Sequence, residues 1–125
     1  MRMFKAKGFK PGKDGPRDAD LRAAIGEIEA GLVDAELGGE LVKKRLARPG
    51  QGKRRGFRTI VAVRIGEKAF FLYCFAKKQR DNITGPELAA LRRLATELMG
   101  YSEAELDKAL ASGALVEIDE QEHRS

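Results

Sequence analysis

The chain contains no tryptophan, one cysteine (Cys74) and one histidine (His123) among its 125 residues. A single cysteine excludes an internal disulfide framework, and one residue of each kind excludes a Cys/His zinc site. A histidine two positions from the last residue also leaves no Ser-His-Asp triad built from ordered parts. Long apolar runs are missing too. The longest, Ala69 to Ala76, falls far short of the ~20 residues that a bilayer-spanning helix needs. The basic N-terminus is not followed by an apolar stretch, so no secretory signal and no membrane association are expected, and a cytoplasmic protein is. Acidic residues are absent between Leu41 and Arg64.

Hydrophobic residues make up 42% of the chain and charged ones 34%, enough for a true core and too apolar for a disordered polymer. The length fits one domain, expected over residues 1–118 with a flexible loop at 8–17 and an acidic tail at 119–125. A domain of this size buries close to two-thirds of the surface its unfolded chain exposes, so it needs no disulfide or structural metal. Net charge is +5, but the average hides the distribution. Residues 1–40 carry 7 basic and 8 acidic groups, residues 41–80 carry 13 and 1, and residues 81–125 carry 4 and 10. One sign concentrated in the middle third is the footprint of a surface that binds a polyanion, and nucleic acid is the expected partner. An acidic protein partner is the plainer alternative.

Residues 2–7 alternate weakly and predict a short strand. Glycines and prolines among lysines predict a loop to Arg17, and Asp18 or Asp20 is the expected cap of a helix over 20–31. Leu21, Ala24, Ile25, Ile28 and Leu32 form its apolar stripe, with Gly31 able to stop it. After a Gly38-Gly39 turn, strands are predicted over Leu41–Ala47 and Gly56–Ile65, joined by a loop over 48–55. A tight turn at Gly66-Glu67-Lys68 leads to Ala69–Ala76, which is apolar on both faces and so reads as a central strand. Thr84-Gly85-Pro86-Glu87 and Ser102-Glu103-Ala104-Glu105 are capping boxes that open helices over 86–99 and up to Gly113. Ala114–Ile118 closes with a short strand. The fold class is α+β: a small, mainly antiparallel sheet, with a three-strand meander and short edge strands, flanked by helices.

The cations of this sheet are the candidate site: Lys43, Lys44, Arg45, Arg58, Arg64, Lys77, Lys78 and Arg80, with Lys53, Arg54 and Arg55 in the adjoining loop. Alternation sets Lys43 and Arg45 on one face of their strand and Lys44 on the other. In a meander the end of the third strand lies beside the start of the second, so Arg58 and the group Lys77 to Arg80 converge. Whether Lys43 and Arg45 join them depends on a register that periodicity does not give. Arg58 is expected at the rim. Cleavage of RNA by its own 2′-hydroxyl passes through a dianionic phosphorane-like state that arginine and lysine stabilise without a metal. A lysine whose pKa is lowered by neighbouring cations can serve as base where no histidine is at hand. On residue types alone, phosphate binding without chemistry is the simpler expectation. Tyr73 is a candidate for base stacking, and Cys74 reads as a small buried hydrophobe.

The segments Gly31–Gly39, Val42–Arg45, Ala47–Lys53, Gly56–Thr59 and Phe75–Ile83 resemble, in order, the RelE/ParE superfamily of toxins, in its HigB-like branch. The resemblance implies a RelE-like fold. It also implies a ribosome-dependent endoribonuclease that cuts translated mRNA in the A site of the small subunit, held inactive by an antitoxin, often a helix-turn-helix protein. Its site residues fall on Lys43 and Arg45, on Arg58 as the arginine of the Gly-aromatic-Arg motif, and on Lys77, Lys78 and Arg80; no cofactor is implied. Relatives carry a tyrosine or histidine shortly after that last basic group, where this chain reads Asp81-Asn82-Ile83-Thr84. Two alternatives follow: an inactive relative that binds RNA or antitoxin only, and a gyrase inhibitor as in the ParE branch.

Overall fold

The structure, a computed structural model, describes residues 1–13, 15–48, 52–77, 80 and 82–119, with the backbone alone for 47, 48 and 52–55. Strand β1 (Arg2–Ala6) leads through a loop to helix α1 (Asp18–Glu29). In that loop Phe9 is buried, its ring centroid 5.7 Å from that of Phe71. The cap of α1 is Arg17 rather than an aspartate; Asp20 instead accepts a hydrogen bond from the Arg17 backbone N–H at 2.8 Å, satisfying a donor ahead of the first turn. Helix α1 stops at Glu29, and Gly31 takes the left-handed conformation at φ 85°. Leu32 therefore leaves the apolar stripe and is exposed, contrary to the sequence expectation.

Strand β2 (Ala35–Gly38) turns through Gly38 and Gly39, both at positive φ, into β3 (Leu41–Arg48). Strand β4 (Gly52–Arg64) follows, then β5 (Lys68–Ala76). Both β3 and β4 extend into the span expected to be a loop, and β2 is a strand that alternation alone did not mark. Helices α2 (Gly85–Met99) and α3 (Glu103–Ser112) start at the two expected capping boxes, with Thr84 and Ser102 as caps, and β6 (Leu115–Ile118) closes the fold. The tail beyond Asp119 lies outside the described residues.

The sheet order is β2-β3-β4-β5-β1-β6. Strands β3, β4 and β5 form the antiparallel meander, β1 runs parallel to β5, and β6 pairs antiparallel with β1. This is the α+β, mostly antiparallel open sheet with flanking helices that the sequence implied. Helix α1 closes one face over Val42, Leu46, Phe57, Val61, Phe71 and Ile118. Helices α2 and α3 close the other over Phe4, Leu41, Ile60, Ala62, Phe70 and Leu72. Between β4 and β5 the register slips: Ile60 faces Tyr73 while Val61 faces Phe71, leaving Leu72 as the extra residue. That bulge lets Leu72 and Tyr73 both pack on the α2–α3 side.

Candidate functional site

The apolar cluster under α2 and α3 takes in Leu41 and Ile60 but none of Lys43, Arg45 and Arg58. Register explains what lies beyond it. Leu41 pairs with Ala62, Lys43 with Ile60 and Arg45 with Arg58, and Arg58 pairs in turn with Phe75. Directly opposed residues share a face, so Lys43, Arg45 and Arg58 continue the helix-covered face toward its open end. The Lys77 backbone N–H donates to the Gly56 carbonyl at 3.3 Å, which holds the turn after β5 beside the start of β4. The result is a polar cavity of about 410 Å³ lined by Asp34, Lys43, Arg45, Arg58 and Lys77. Four of the expected cations meet here.

Their settings differ. Arg45 and Lys77 are exposed, and Lys43 is half-buried. Arg58 is only 6% exposed, so it is a buried arginine in the cavity wall and not the rim residue expected. Its aliphatic stem contributes packing as well as charge.

Asp34 is the site residue that sequence reasoning missed. Its Oδ1 accepts from Nε of Arg45 at 2.7 Å, and its Oδ2 accepts from the Arg45 backbone N–H. Its own N–H donates to the Lys43 carbonyl at 2.9 Å. The Gly38-Gly39 turn signals that this segment folds back along β3, but the register shift between Glu36 and Gly38 that sets Ala35 opposite Lys43 has no mark in the sequence.

Other expected residues are placed elsewhere. Lys44 points to the α1 face, where it is 5% exposed; its Nζ lies 2.8 Å from Glu27 Oε1 and donates to the Leu32 carbonyl at 2.8 Å. One residue of alternation separates a structural lysine from a cavity cation. Arg64, at the far end of β4, makes a two-pronged ion pair with Glu40 at 2.8 and 2.9 Å, away from the cavity. Arg80 does not line the cavity. Its guanidinium sits over the Phe75 ring at 5.6 Å, reaches the Tyr73 hydroxyl at 3.4 Å and makes paired bonds of 2.6 and 3.0 Å to Glu87. Glu87 also accepts from the Thr84 N–H at 2.7 Å within its capping box. The Arg80 hydrogen bonds, then that backbone bond, hold the Glu87 carboxyl down to about 2. Tyr73 is half-buried, tilted against Phe75 with centroids 6.0 Å apart, rather than an open platform. Lys78 lies outside the described residues, as do the side chains of Lys53, Arg54 and Arg55.

Cys74 is buried on the α1 side, and burial pushes its thiol up to about 12, which leaves it a poor nucleophile at neutral pH. Among the described residues no cluster of three or more His, Cys, Asp or Glu could hold a metal ion, and no helix is long and apolar enough to cross a membrane. What the cavity can do is hold a phosphodiester. Charge-assisted donors converge on one small volume, and Asp34, the one carboxylate among the described residues that line it, offsets only part of their charge. The family model described as the RelE toxin of the RelE/RelB toxin–antitoxin system matches residues 1–118. No curated protein matches the chain.

Proposed function

The chain belongs to the RelE toxin family, and from that premise we propose that it is a ribosome-dependent endoribonuclease that cuts translated mRNA and so stops translation. The observation that carries this reading is the convergence of Lys43, Arg45, Arg58 and Lys77 around one cavity. An RNA strand supplies its own nucleophile. The 2′-oxygen gives up its proton to a base and attacks the adjacent phosphorus, its bond to phosphorus forms as the bond to the 5′-oxygen breaks, and the leaving 5′-oxygen takes a proton, so that a cyclic phosphate and a 5′-hydroxyl result. The intermediate geometry carries an extra negative charge, and fixed cations that meet it there stabilise it more than they stabilise the ground state.

Arg58 suits this task best. A buried guanidinium is held in place by its surroundings and acts in a medium less polar than water, where each donor counts for more. Lys77 supplies further charge at the cavity, Lys78, outside the described residues, stays a candidate from the sequence, Arg45 holds the strand, and Lys43 holds it or, as the neutral amine, takes up the 2′-proton. Arg80 acts at one remove, tying the turn after β5 to the first turn of α2 through Glu87. The chemistry is metal-independent in this reading, with the cations carrying the charge. The partner that silences it is a cognate antitoxin, of helix-turn-helix type in the HigB-like branch, and an acidic segment matches the cavity in charge. The protein then works in the cytoplasm, where its ribosomal target is.

A second reading, an RNA- or antitoxin-binding relative without cleavage, draws on the sequence Asp81-Asn82-Ile83-Thr84, which has no tyrosine or histidine. One experiment separates the two. In a cell-free translation reaction with 5′-end mapping, new mRNA ends are expected only during translation and only with an intact site. Arg58→Lys keeps a cation and serves beside Arg58→Ala, because a buried arginine cannot be removed without some loss of stability. Intact mRNA with the wild-type chain bound to ribosomes supports the binding reading. A normal mRNA pattern together with blocked DNA supercoiling points to the gyrase-directed branch.

A further inference from the structure

Arg45 and Arg58 stand directly opposite each other across β3 and β4. Like charges at such positions repel and are destabilising, so something has to offset them. Asp34 is the acid at that place, and its geometry is more specific than neutralisation requires. One oxygen takes the Nε–H of Arg45 and the other takes the same residue's backbone N–H. The carboxylate is thereby locked to the strand that bears the arginine as well as to the arginine itself.

We infer that Asp34 is a positioning residue for this site: it fixes the Arg45 guanidinium at its Nε edge, so that the two terminal nitrogens are presented to a phosphate of the RNA. Exposure agrees with that division of labour, since the Asp34 side chain is 20% exposed and that of Arg45 46%, putting the cation on the solvent side. A guanidinium held through Nε keeps its remaining donors as a planar fork matched to two phosphate oxygens. The segment carrying Asp34 is itself fixed by three consecutive residues of β3: the Lys43 carbonyl bonds Asp34 N–H, the Lys44 ammonium bonds the Leu32 carbonyl, and Arg45 bonds the carboxylate. A rigid acid holding a mobile cation reduces the ordering that RNA binding would otherwise have to impose. With both oxygens already accepting from Arg45, Asp34 is poorly placed to take the 2′-proton as a base.

The inference rests on the nuclease reading, and the test keeps the two apart by pairing an activity readout with a spectroscopic one. Single-turnover cleavage on programmed ribosomes is measured for wild type, Asp34→Asn, Arg45→Ala and the double variant, alongside the Arg45 Nε–H resonance in nitrogen-15 spectra. Asp34→Asn is expected to slow cleavage by roughly 10- to 100-fold, mostly in kcat, as expected for a displaced group at a reacting centre. In the Arg45→Ala background the same change is expected to cost less than about 2-fold, because coupled residues do not add. The Nε–H signal is expected to be protected from solvent exchange in wild type and to lose that protection in Asp34→Asn. Equal slowing in both backgrounds would overturn the inference, as would a protected Nε–H without the carboxylate. If Asp34→Asn fails to fold, Arg45→Lys, which lacks the Nε fork, is expected to be slow with Asp34 intact, and full activity in it would overturn the inference. A wild-type chain that cleaves nothing defeats the nuclease reading, and the resonance still decides whether Asp34 holds Arg45.

Discussion

On the α1 face of the sheet, whose apolar cluster includes Leu46, Phe57 and Ala76, Lys44 is 5% exposed, paired with Glu27 and bonded to the Leu32 carbonyl. On the opposite face, one residue along the same strand, Arg45 opens onto a cavity shared with Lys43, Arg58 and Lys77. The same stretch of β3 and β4 is thus core on one side and cationic site on the other. The difference is one of cover. Helix α1 closes its face over this end of the strands, whereas the cluster under α2 and α3 reaches only as far as Leu41 and Ile60. A cation beneath a helix needs its own partner, and Lys44 has two. Cations beyond the helices line a cavity that a ligand can enter, and the sheet beneath them holds their backbones still.

Four changes test that contrast. Phe70 is fully buried on the closed half, stacked on Phe4 with centroids 5.1 Å apart. Phe70→Ala is expected to destabilise the fold by about 3–5 kcal/mol, read from the urea midpoint, because the cavity left behind collapses only in part. Next, Arg58→Lys is expected to slow mRNA cleavage on the order of 10²-fold with a much smaller shift in that midpoint, since a lysine cannot reproduce the forked donors. A rate equal to wild type in the folded variant would remove Arg58 from the chemistry.

Third, Lys44→Ala is expected to cost about 1–2 kcal/mol of stability through the lost ion pair with Glu27 and the lost carbonyl bond, discounted because Glu27 is 35% exposed. Cleavage per folded molecule is expected to fall far less than in Arg58→Lys, through loosening of the Asp34 segment alone. A drop as large as that of Arg58→Lys would mean that RNA reaches the α1 face, and the two-sided division would fail. The smallest effect is electrostatic. The Glu87 carboxyl is lowered to about 2 in the folded state, chiefly by Arg80. A depressed carboxylate contributes stability above its unfolded pKa, near 4.3, and loses it as pH falls through the folded value. Wild type should therefore lose stability between about pH 4.3 and 2 through this group, and Glu87→Gln should flatten that part of the curve followed by circular dichroism. An unchanged slope would show that Arg80 does not rest on Glu87 in solution.

Much of this was readable from the chain alone. Two capping boxes placed α2 and α3, alternation placed the meander, and the acid-free stretch from Leu41 to Arg64 supplied three of the cations that gather at the cavity. Period-2 alternation also put Lys43 and Arg45 together and Lys44 apart. These are local properties, set by neighbouring residues and by the dihedral angles each allows. What tertiary structure decided is everything that depends on which residues meet across strands. Only register put Arg45 opposite Arg58, and only the β2–β3 hairpin brought Asp34 beside Arg45. Only the packing of the molecule put Arg58 inside the cavity wall, gave Lys44 to α1 and gave Arg80 to Glu87. A strand's pattern shows which side chains share a face. Which face gets covered, and which acid comes near which base, is fixed by contacts between residues far apart in sequence, and no local pattern carries that information.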